Sequence, residues 1–154
     1  MNSKRLLPLV LFLLGALPPV ASSQTAGETR AETSAHEGTW KPIAAVLGGV
    51  RLPPEAINAI TLKITGDRYE VTVEGEKEPD KGTCTLDLTT TPKRMTIRST
   101  EGPNKGKTFL AIYEMKDAGS LRVCYDLSGT DFPKEFKAPK DTPLYLVGYR
   151  RPKP

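Results

Sequence analysis

One histidine, two cysteines and a scatter of carboxylates are what this chain of 154 residues offers for chemistry. His36 is the only imidazole, so a Ser-His-Asp or Cys-His nucleophilic site would have to use it. It lies in a polar stretch with no base or orienting group at a fixed spacing, and no catalytic residue is assigned. Asp87 with Asp126, and Glu70 with Glu74, are acids of the kind any solvated sheet face carries, with nothing to mark an acid/base pair. A zinc site of His and Cys needs at least one more such ligand, or carboxylates. The stretch Gly102-Pro103-Asn104-Lys105-Gly106-Lys107 has the composition of a phosphate cradle but not its spacing, and a strand pattern follows where a helix is required. It reads as a hairpin turn. These residues lead to the expectation of no enzyme activity, no cofactor and no metal. Lys134, Lys137, Lys140, Arg150, Arg151 and Lys153 gather near the C-terminus. They could meet an acidic polymer or headgroup, but they read as solvated surface. With 22 basic against 18 acidic side chains, a net charge of +4, no nucleic-acid partner is expected.

The elements that would have to position a site are strands. Ile60, Leu62 and Ile64 alternate with polar residues, as do Tyr69, Val71 and Val73, then Cys84, Leu86 and Leu88, then Met95 and Ile97, then Leu121, Val123 and Tyr125. Period two with β-branched and aromatic residues marks half-buried strands. Residues 108–115 and 144–149 are apolar on both faces, so something must cover their outer side. Gly/Pro/Asn/Asp clusters separate the runs. With a first strand from Trp40 and a last from Leu144, eight antiparallel strands are expected, joined by short links. Closure into an up-and-down barrel removes the exposed edges of such a meander and is favoured over a two-sheet sandwich. One short helix is predicted at Pro53-Pro54-Glu55-Ala56-Ile57-Asn58, where prolines precede helix formers. The longest connection, residues 128–143, carries Phe132 and Phe136 four apart, placed to cover one end of the core from a short helical turn.

Residues 1–23 read as a secretory signal. Lys4 and Arg5 precede an apolar run from Leu6 to Leu17, Pro18 and Pro19 break it, and Ala21-Ser22-Ser23 offers small residues for cleavage. The run is about 12 residues, short of the roughly 20 a bilayer span needs. Export to the periplasm or the medium is therefore expected, with no membrane span after cleavage. Removing Lys4 and Arg5 lowers the net charge from +4 to +2. Residues 24–36 have alanine as their sole apolar type and are predicted to be a flexible linker. The folded domain is set at 37–151, with a tail at 152–154.

Cys84 shares its parity with Leu86 and Leu88, whereas Cys124 lies opposite Leu121, Val123 and Tyr125. Alternation thus puts one sulfur inside and one outside, against a disulfide, although an exported protein meets an oxidising compartment. The same parity puts Arg122 on the outside of a filled core. In the converse arrangement Arg122 lines the lumen with Tyr69, Tyr113 and Tyr125 and suits a small amphipathic carboxylate. An eight-stranded barrel can hold one small ligand or be filled by its own side chains.

Gly38-Thr39-Trp40 at the start and Arg150 at the end resemble the barrel-closing pair of the lipocalin and fatty-acid-binding superfamily, in which the guanidinium stacks over the indole. Over residues 38–151, further segments strengthen a likeness. They are Gly38-Thr39-Trp40-Lys41, Thr100-Glu101-Gly102-Pro103-Asn104-Lys105-Gly106-Lys107, Leu121-Arg122-Val123-Cys124-Tyr125-Asp126 and Pro133-Lys134-Glu135-Phe136-Lys137. Together they resemble a planctomycete-type conserved hypothetical domain of mostly secreted proteins with a lipocalin-like barrel. The resemblance implies an all-β barrel and export, and it implies no activity. Two functions follow as expectations. One is a binding module for a small apolar or amphipathic ligand. The other is a filled-core structural or protein-interaction module of the cell envelope. The strands are short for a lipocalin, and no long entry loop follows the first. An enclosed cavity above about 300 Å³ would favour the binding module.

Overall fold

A computed structural model describes residues 23–154. The expected leader, apart from Ser23, lies outside the described residues. The chain forms α1 (Ala26–His36), β1 (Gly38–Leu47), β2 (Val50–Arg51), α2 (Pro54–Asn58), β3 (Ile60–Thr65), β4 (Arg68–Val73), β5 (Asp80–Asp87), β6 (Lys93–Glu101), β7 (Thr108–Asp117), β8 (Ser120–Asp126) and β9 (Leu144–Arg150). The strands run β2-β1-β3-β4-β5-β6-β7-β8-β9, and β9 pairs back onto β1. This is the expected closed, eight-stranded, antiparallel up-and-down barrel, with β2 added as a ninth, two-residue strand on β1. Closure leaves no long unpaired edge.

Pairing fixes two unlike ends. At one end lie the start of β1, the turn between β3 and β4, and the end of β9. Here Gly38–Trp40 pair with Leu62–Ile64, and Lys41 pairs with Arg150. At the other end β1 has left β3, and its last residues pair with β2 and β9 only. The predicted helix α2 sits in this gap. Ile57 of this helix, and Leu52 just before it, pack onto the core.

The stretch predicted as a flexible linker is instead the helix α1. Thr25 and Glu28 form a reciprocal capping box, with Glu28 N donating to Thr25 Oγ1 at 3.1 Å and Thr25 N to Glu28 Oε2 at 2.8 Å. That satisfies two donors a helix start otherwise leaves open. Poverty in apolar residues was the wrong criterion, because docking is polar. Gln24 Oε1 accepts from Leu88 N at 2.8 Å, and Glu32 meets Lys93 at 3.0 Å. Three alanines add intrinsic helix propensity.

The expected outer cover of β7 is present. Ile112 and Cys124 point outward yet are buried, beneath residues 128–143. This segment contains no helix, and its phenylalanines cover the barrel's outer wall, where an end cap was expected. Arg94 lies 4.5 Å over the Phe132 ring, and Arg122 lies 4.1 Å over Phe136. Asp126 anchors the segment by accepting from Ser128 N, Thr130 N and Asp131 N at 2.9, 3.2 and 2.9 Å. Burial opposes its charge, but these donors and the Ser128 hydroxyl outweigh it and hold the carboxyl below its usual range.

Candidate ligand cavity

The first end of the barrel is solid. Trp40 is fully buried, and its Nε1 donates to His36 O at 2.8 Å. The His36 ring, 2% exposed, stands edge-on to Tyr113 at 4.9 Å between centroids, and its Nδ1 lies 2.7 Å from Glu32 O. That contact with a carbonyl assigns the proton of the neutral ring to Nδ1. Burial lowers the pKa of this imidazole, against the smaller opposing pull of Glu32. Tyr113, one of the expected lining tyrosines, belongs to this plug and not to a cavity. Burial, then the Glu32 charge, raises its phenol.

A guanidinium stacks over the indole, but it belongs to Arg151 and not to Arg150, the residue the resemblance pointed to. Its Cζ lies 4.1 Å over the Trp40 ring. Nη1 donates to Glu37 O at 2.6 Å, Nη2 to Ala35 O at 2.7 Å and Nε to Ala118 O at 2.8 Å. Arg150 points outward and is exposed. The reason is pleat parity: Tyr145, Val147, Tyr149 and then residue 151 continue one inward row. Gly38 sits at φ +118°, a conformation L side chains rarely adopt, and its missing side chain leaves room for Arg151 Nη1.

The other end is not solid. A cavity of about 210 Å³ runs in from it. Its walls are aliphatic, from Ile60, Leu62, Val71, Ile97 and Val123, with Phe109. Val73 and Leu127, each 37% exposed, lie at its mouth with Asn104 of the hairpin turn. That hairpin is the turn expected from its glycines, closed by Gly106 N donating to Ser99 O at 2.9 Å.

Two polar groupings interrupt the apolar wall. Asp80 opens β5 on the inward row, where Oδ2 accepts from Tyr69 Oη at 3.1 Å and Oδ1 from Ser99 Oγ at 2.5 Å. Across the lumen, the Tyr125 and Tyr149 hydroxyls are 3.0 Å apart, and Tyr145 stacks on Tyr125 at 5.8 Å. Burial raises the Tyr69 phenol. The Asp80 charge adds to this, while the Ser99 hydroxyl opposes it. Tyr125 and Tyr149 are likewise raised by burial. All three stay protonated, as hydrogen-bonding groups. Cys84 also faces the lumen, and burial pushes its thiol up to about 12.

Of the four residues expected to line a ligand site, Tyr69 and Tyr125 line this cavity. Arg122 does not, because it lies outside, 2.7 Å from Glu114. Without it the lumen has no cation among its described lining residues, which removes the reason for a carboxylate ligand. Both cysteines are free, with Cys124 Sγ outside the wall at 3.4 Å from Lys137 O, as alternation predicts. Asp80 escaped the sequence reading because Pro79-Asp80-Lys81-Gly82 looks like a turn. The signal that could have found it is its parity with Cys84 and Leu86. No group of His, Cys, Asp and Glu among the described residues is placed to hold a metal ion. Comparison of the chain with protein-family models, curated proteins and solved structures returns no match.

Proposed function

We propose that this barrel is a binding module for one small, mostly apolar molecule held in the open half of its lumen. The observation that carries the reading is the cavity of about 210 Å³ beside a tightly plugged opposite end. Its volume is below the roughly 300 Å³ at which drug-sized pockets begin. An engineered apolar cavity of about 150 Å³ holds benzene, with six heavy atoms. In proportion, this one takes about eight. The apolar leader-like run at residues 6–17 supports export, so the ligand would be met in the periplasm or the medium.

The test uses 1-hexanol as probe, followed through the methyl NMR signals of Ile60, Leu62, Val71 and Val123. Burying six methylene-sized groups at about 0.8 kcal/mol each gives about 5 kcal/mol, a dissociation constant in the high micromolar to millimolar range. Saturable shifts confined to these methyls, and abolished in Val71→Phe, are expected. Unmoved methyls at tens of millimolar hexanol would overturn the reading and favour a module without a small-molecule ligand.

A further inference from the structure

Resting on that reading, we infer that the occupant carries a cationic amine, and that Asp80 receives it. Asp80 is the one charged side chain among the described residues that line the cavity. It makes none of the ion pairs found among the described residues. A carboxylate offers about four acceptor positions and no donor. Tyr69 and Ser99 take one on each oxygen, which leaves about two free. The two donors also fix the carboxylate's orientation, so it is set before a ligand arrives.

The surroundings select the sign of the charge. An anion entering this lumen would face Asp80 with no Lys or Arg among the described lining residues. A neutral molecule would leave the spare acceptor positions of the half-buried carboxylate to water. An ammonium supplies three donors to them. Tyr69, whose hydroxyl lies 3.1 Å from Asp80, also lines the cavity. The chemistry that fits is a short alkyl or aryl-alkyl primary amine, its chain on Leu62, Val71 and Ile97 and its nitrogen at Asp80.

The experiment compares three probes of one length, hexylammonium, 1-hexanol and hexanoate, by the same methyl signals at pH 7. Charge-assisted hydrogen bonds exceed neutral ones by enough to expect hexylammonium to bind at least about tenfold tighter than hexanol. Hexanoate should bind weakest. In Asp80→Asn the amine preference should fall to within about twofold, with the methyl spectrum of the ligand-free variant retained as the sign that the cavity is intact. Equal binding of the three probes, a preference for hexanoate, or an amine preference that survives Asp80→Asn overturns the inference and leaves the cavity reading standing. No binding by any probe overturns both. Should Asp80→Asn fail to fold, the order of the three probes on the unaltered protein decides.

Discussion

Replacing Arg151 by Ala tests how the plugged end is held. The side chain ties three parts of the chain together: Ala35 and Glu37 at the end of α1, Ala118 in the turn before β8, and the Trp40 ring. Its three bonds lie at the exposed rim of the barrel, so each is worth about 0.5–1 kcal/mol, below the range for buried charged donors. The stacking adds about 0.5–1 kcal/mol. The expected loss is about 2–4 kcal/mol. With a urea slope of about 2 kcal/mol/M, the unfolding midpoint should drop by about 1–2 M. Arg150→Ala, one residue away on the outer face, should stay within about 0.5 kcal/mol of the unaltered protein. Arg151→Lys keeps the charge but cannot span three carbonyls with a planar fork, so it should recover less than half of the loss. Urea unfolding followed by circular dichroism measures all three. Equal losses for Arg150→Ala and Arg151→Ala, or an Arg151→Ala loss under 0.5 kcal/mol, would refute the parity assignment and the latch with it.

The buried His36 should make stability fall in mild acid. Its folded-state pKa is lowered, chiefly by burial, whereas the unfolded chain takes up that proton near pH 6.5. Its contribution is therefore complete above about pH 6.5 and is lost as pH falls towards the folded-state value. Urea midpoints at pH 7.5, 6 and 5 should show a slope that His36→Gln lacks, and parallel slopes would contradict the neutral, buried assignment. The two thiols should be silent towards a thiol reagent in the native protein at pH 8, since Cys84 is held up to about 12 and Cys124 is buried. Both should react in denaturant without reductant; a titre of zero would mean a disulfide and a different strand geometry.

Pleat parity made much of this fold legible. The rows Leu121/Val123/Tyr125 and Cys84/Leu86 face inward as their alternation says, and Arg122 and Cys124 face outward. The same rule assigns Arg151, and the likeness of Arg150 to a barrel-closing residue drew attention one position short. Parity carries no information on depth along the barrel axis. Tyr113 and Tyr125 both point inward, yet Tyr113 meets the His36 plug and Tyr125 the cavity. Depth follows from register, and here register depends on the bulges at Pro42/Ala44, Lys81/Gly82 and Met115/Asp117. The last kind of miss was α1. Its Thr25-x-x-Glu28 box is visible in the sequence, but its docking partners, Leu86, Leu88 and Lys93, lie more than 60 residues away.

The contrast between the two ends bears on why the cavity exists at all. Trp40, Tyr113, His36 and Arg151 fill one end to within about 10 Å³, so this chain has the means to pack a barrel end tightly. At the other end the inward positions carry Ile60, Val71, Val73 and Val123, and the polar pair Asp80 and Ser99 stands where an aliphatic side chain would close the space. A merely structural barrel would gain from Val→Phe or Val→Leu changes there. A binding barrel would lose its site, and with it the stabilisation on occupancy, about 2.7 kcal/mol at a ligand concentration a hundredfold above the dissociation constant. The unfilled volume lies in the open half alone, where Asp80 also presents its unused acceptor positions, and under the proposed binding role the two belong to one site.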